Sequence, residues 1–175
     1  MGQVGSVIAQ NASVAAGLGE LLMSGIDPKK FASKPRADGK VINTNHPAFV
    51  YGHLSIYPAR GLDMLGLTDE RANVPAGFQE LFSAGAECKD DPDCSIYPPM
   101  AEIAEHYKRS HAAIIERLRE VSDDKLGEPN PREGRFREMA PTIGDACCFV
   151  FSMHAATHLG QVSAWRRCFG LPSVL

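Results

Sequence analysis

The chain has no apolar run approaching the roughly 20 residues that a membrane-spanning helix requires. It also has no marked excess of either charge: 18 Lys and Arg stand against 21 Asp and Glu, for a formal charge of −3. That balance leaves no electrostatic footprint for nucleic acid or anionic lipid, so neither is expected as a partner. The N-terminus lacks a basic segment followed by an apolar one, so no secretory signal is read and a cytoplasmic location is expected. Met1-Gly2-Gln3-Val4-Gly5-Ser6 formally fits a myristoylation pattern, but so short a match arises readily by chance. Alternating strand patterns are scarce, and no repeat or domain-splitting linker interrupts the 175 residues. One domain spanning 1–175, large enough to bury a core, is the simplest organisation.

Cysteine is sparse in the arrangements that build frameworks. Five is an odd number for disulfide pairing, and without a signal the thiols are expected to be reduced. Cys88 and Cys94 flank the acidic Lys89-Asp90-Asp91-Pro92-Asp93. Their spacing is wider than that of a zinc knuckle and no second pair follows, so a loop with incidental thiols is expected.

What the chain does have is helical periodicity in four segments. The first runs from about Val7 to Gly25, with Val7, Val14, Leu18, Leu21 and Leu22 at helical spacing, and Asp27-Pro28 ends it. The second starts near Asn45 as N-cap, tolerates Pro47 in its first turn and reaches about Leu65, with Pro58 predicting a kink. A long connection, Gly66 to Tyr97, contains one short helix around Phe78 to Phe82 and is placed to cover one end of a cavity. Pro98-Pro99 opens the third helix, whose Ile103, Tyr107, His111, Ile114, Leu118 and Val121 form one stripe; Ser122-Asp123-Asp124 stops it. The fourth starts at Thr142 or Gly144 and ends in Arg166-Arg167 and Gly170, the expected stop chemistry. Four helices with inward apolar stripes predict an all-α four-helix bundle, with the connection between helices 2 and 3 as its long crossover.

The inward stripe of the fourth helix reads Cys147, Phe151, His154, His158, Gln161, Trp165, Cys168. His154 and His158 are four apart, on one helical face, and can reach a single ion at about 2.0–2.1 Å. Two ligands rarely hold a metal, so a third is sought. His53, on a stripe with Phe49, Val50, Ile56 and Tyr57, can point into the bundle and would leave coordination positions open, as in catalytic sites. His46 lies two turns away, roughly 10.5 Å along the axis, too far to share an ion with His53. His111, in the third helix, is the remaining candidate, read first as a buried, hydrogen-bonded or supporting histidine; His106 is read as solvated. Cys147 can line the cavity but lies about 10 Å from His154 along the helix, and it and Cys148 read as packing residues. Spacing alone leaves a metal trio and three separately hydrogen-bonded histidines both open.

His154-Ala-Ala-Thr-His158-Leu-Gly160-Gln161, followed by Arg166-Arg167 and Gly170-Leu-Pro172, resembles the C-terminal signature of the DinB/YfiT-like superfamily. Asn45-His-Pro-Ala-Phe-Val-Tyr-Gly52-His53-Leu54 resembles that family's motif on the second helix. The Ser122-Asp123-Asp124 turn and Pro141-Thr142-Ile143-Gly144 also fit, so the resemblance covers nearly the whole chain. Pro58 and the Cys88–Cys94 loop depart from the pattern. The resemblance implies an up-down-down-up bundle, often a homodimer, holding zinc or nickel on His53, His154 and His158. Gly160 would permit close helix approach, and Gln161 and His111 are pocket candidates. It further implies a metal-dependent enzyme in which a low-molecular-weight thiol attacks a small-molecule electrophile, as an S-transferase or isomerase. A metal-dependent hydrolase is the alternative, weakened because no Asp or Glu lies on the His154/His158 stripe within a turn. A non-catalytic, metal-binding, stress-associated dimer is the other.

Overall fold

The computed structural model describes residues 2–174, and the fold they adopt is all-α. The only strands among them are β1 (Arg36–Ala37) and β2 (Lys40–Val41), a hairpin turned by Asp38 and Gly39, both at positive φ.

Helix α1 spans Gln3–Met23. It begins before the expected Val7 because Asp123, far along the chain, accepts hydrogen bonds from the Gln3 and Val4 amides, which have no partner within the helix. Its expected stripe is corrected. Val7, Val14 and Leu21 are exposed, and the buried face is Ile8, Ala9, Ala12, Ala16, Gly19 and Leu22. Close approach explains the small residues: a Cβ at Gly19 would run into the Tyr107 hydroxyl.

Helix α2 (Pro47–Ser55) is buried at every position. Its N-cap is His46 rather than Asn45, with His46 Nδ1 accepting from the Phe49 amide at 3.2 Å. Ile56 interrupts the helix and α3 (Tyr57–Leu65) resumes it with Pro58 in its first turn, so the expected kink is a one-residue break. The crossover carries α4 (Phe78–Phe82) where a short helix was expected. α5 (Met100–Glu120) buries its whole predicted stripe, and α6 (Asp123–Gly127) and α7 (Arg135–Met139) follow. α8 (Ile143–Cys148) starts on a capping box between Thr142 and Asp145. It leads through a π-helical stretch, Phe149–His154, into α9 (Ala155–Cys168).

α1 packs along α5 on one side and against α8 and α9 on the other, while α2 is enclosed by α4, α5 and α9. One apolar cluster gathers Tyr51, Phe82, Tyr107 and Trp165; another gathers Ile8, Leu62, Ile114 and Phe151. The acidic loop has a structural role. Buried Asp91 accepts from the Ser95, Ile96 and Tyr97 amides, and Asp90 pairs with Arg36. Burial opposes ionisation of Asp91, but those donors hold its carboxyl below the usual range. Cys88 is buried, Cys94 is exposed and both are free thiols. Arg166, beyond ending its own helix, is buried and donates to the Leu22, Ser24 and Pro172 carbonyls, tying down the end of α1 and the C-terminal segment. Cys168 is exposed, off the predicted stripe.

Candidate metal centre

His53, His154 and His158 each offer one ring nitrogen within 4.8 Å of the others, from α2 on one side and from the end of the π-helical stretch and the first turn of α9 on the other. His53 Nε2 and His154 Nε2 are 3.2 Å apart. Two nitrogens each about 2.0–2.1 Å from one ion lie roughly 3.0 Å apart at a right angle and 3.4 Å at a tetrahedral angle. The observed separation falls between these values, so this pair fits a shared ion, and the His158 ring nitrogen lies within 4.8 Å of both.

Two of the three rings are already aimed. His53 Nδ1–H donates to the Phe82 carbonyl at 2.7 Å, which leaves the Nε2 lone pair facing His154. Gly52 makes this contact possible, because a Cβ there would lie within 2.6 Å of Phe82 ring atoms. His158 Nδ1–H donates to Gln161 Oε1 at 3.1 Å, and Gln161 Oε1 also accepts from Asn45 Nδ2 at 3.0 Å. Gln161 is therefore an orienting residue. Partners of this kind fix the tautomer of metal-binding histidines.

His154 differs. Its Nδ1 is buried without a hydrogen-bond partner, as is the Ser152 hydroxyl beside it in the π-helical stretch. The Val150 carbonyl is close enough to raise the His154 pKa slightly, but hydrogen-bond geometry is not reached. π-Turns insert one residue into a helix and are frequent at functional sites. Burial pushes the His53 and His154 pKa values down to about 4, with neighbouring cations or imidazoles adding to the effect. Both rings are neutral near pH 7, the form that ligates metal.

The other histidines stand apart. His46 is fully used as a helix cap, with its Nε2–H donating to the Lys89 carbonyl at 2.8 Å. His111 Nδ1–H donates to the Tyr107 carbonyl, and its ring borders a groove between α1 and α5, away from the trio. His106, expected to be solvated, is instead 1% exposed and packed edge-on against Phe78, because α4 folds over that side of α5. Gly160 is corrected too: it is exposed and an added Cβ would meet nothing within 4 Å, so no helix approaches there. Cys147 is buried in the second apolar cluster and lines no part of the trio, whereas Cys148 is exposed.

His154 opens onto a cavity of about 330 Å³ walled by Tyr57, Met64, Phe136, Phe149 and Val150. The Tyr57 ring forms the shared wall, 4.6 Å from the His154 ring and 5.0 Å from that of His53. Sequence reasoning placed Tyr57 on the His53 stripe without giving it a part in the site, and missed the Phe82 carbonyl and the π-turn. Tyr57, four residues after His53, was the one with a legible signal.

Fold and site together define an all-α protein with a three-histidine group able to hold a metal ion. No family model, curated protein or solved structure matches the chain. No helix among the described residues is long and apolar enough to cross a membrane.

Proposed function

We propose that the protein is a metal-dependent enzyme of the DinB/YfiT-like kind that transfers a low-molecular-weight thiol to a small electrophile, or isomerises one. In this reading α1, α2–α3, α5 and α8–α9 are the four helices of the up-down-down-up bundle, and His53, His154 and His158 hold zinc or nickel. The observation that carries it is the pair of pre-aimed imidazoles, on His53 and His158, meeting His154, whose Nδ1 has no hydrogen-bond partner, beside a cavity. A divalent ion bound there supplies the positive charge that favours the thiolate form of a thiol near neutral pH. The chain's own part is positional. The Phe82 carbonyl and Gln161 keep the Nδ1 protons away from the site, Tyr57 closes one wall, and apolar Phe149 and Val150 limit water beside His154.

Elemental analysis of the purified protein is expected to find one metal per chain, lost in His53→Ala and His154→Ala. Metal retained by His53→Ala would refute the trio. Metal-loaded protein is expected to conjugate a thiol from a panel of bacterial thiols to an electrophile such as chlorodinitrobenzene, and His158→Ala to abolish this. Turnover that survives without thiol would favour hydrolysis instead.

A further inference from the structure

Two guanidinium groups, those of Arg60 and Arg132, line the cavity beside His154. Arg60 is half-buried, its guanidinium 5.0 Å from the Tyr57 ring centroid and donating to Gln79. Arg132, an exposed residue, also lines the cavity. Neither makes an ion pair among the described residues, although Arg36, Arg71 and Arg117 all do. The rim segment is anchored: buried Asn130 accepts from the Arg132 amide and donates to the Ala140 carbonyl. Glu133 is the one acid on the lining. The volume, about 330 Å³, lies at the lower end for small-molecule sites, which begin near ~300 Å³.

We propose, resting on the three-histidine reading above, that this cavity binds a small carboxylate with an apolar body. Arg60 and Arg132 take the carboxylate, and Met64, Phe136, Phe149 and Val150 cover the apolar part. A planar guanidinium matches a carboxylate with paired, charge-assisted hydrogen bonds, and the aromatic wall favours a flat or short alkyl body. The electrophile would then reach the metal side of the cavity with its anionic end held at the rim.

Titration calorimetry with 3-phenylpropanoate and its uncharged twin, 3-phenylpropanamide, tests this on the zinc-loaded full chain. The acid is expected to bind about tenfold tighter than the amide. Arg60→Gln and Arg132→Gln each weaken the acid by about fivefold or more, leave the amide unchanged and melt like the wild type. The preference for acid persists after zinc is chelated. Equal affinity for acid and amide, or an acid affinity unmoved by Arg60→Gln, overturns the proposal. A preference that needs zinc and ignores both variants assigns the carboxylate to the ion and likewise overturns it. Failure of thiol transfer alone leaves this binding result intact, so the two readings fail separately.

Discussion

His53, His154 and His158 differ in how much of their orientation is already fixed. Gln161→Leu removes the acceptor that aims His158 and leaves its Nδ1 free to rotate. Metal affinity is expected to fall about tenfold to hundredfold, with Gln161→Glu restoring it. Competition with a chelating dye measures both, and an unchanged affinity would deny Gln161 its orienting part. Gly52→Ala drives a methyl into the Phe82 ring and so displaces the carbonyl that holds His53. About 1–3 kcal/mol of stability should be lost in urea melts, together with metal affinity. The His154/His158 pair was legible from its four-residue spacing, which any helix keeps, whereas His53 was one candidate on its own stripe that only the family resemblance singled out. The supports were not legible. A backbone carbonyl from α4 and an Asn45–Gln161 bridge across 116 positions depend on tertiary packing that no local pattern encodes.

At the scale of elements, periodicity located every long helix but misjudged faces where packing overrode hydrophobicity. α1 turns Val7, Val14 and Leu21 outward because α5 approaches its inner face closely enough to require Gly5 and Gly19 there, and α2 is buried all round, so the stripe read through Phe49, Val50 and His53 has no exposed counterpart. Turn chemistry was legible at Pro58, at Thr142 and at Phe78–Phe82. The π-turn was not, since an inserted residue changes no amino-acid preference. Arg166 shows the same limit: basic residues at a helix end predicted a stop, yet its guanidinium serves three carbonyls elsewhere. Arg166→Lys cannot span them and leaves buried acceptors unpaired, so it should cost about 2–4 kcal/mol in chemical denaturation. A loss below half a kcal/mol would show that water replaces the guanidinium there.

For the whole molecule, the buried histidines set the response to acid. Burial pushes His46, His106 and His111 down to about 4, against an ordinary value of 6.5. Between those values the unfolded chain binds protons that the folded chain refuses. Metal-free protein is therefore expected to keep a constant urea midpoint above about pH 7 and to lose stability steadily as the pH falls from 6.5 towards 4. A midpoint flat across that interval would mean that these rings protonate in place.

The complete burial of α2 has a consequence for timing. A helix enclosed by α4, α5 and α9 opens only when the surrounding elements part, so its amides should be among the last to exchange with solvent. His53 rides on that slow element, while His154 sits on a π-turn where its own Nδ1 and the Ser152 hydroxyl have no hydrogen-bond partner. An ion held between them would leave by the His154 side, at a rate set by breathing of one turn rather than by unfolding of the domain.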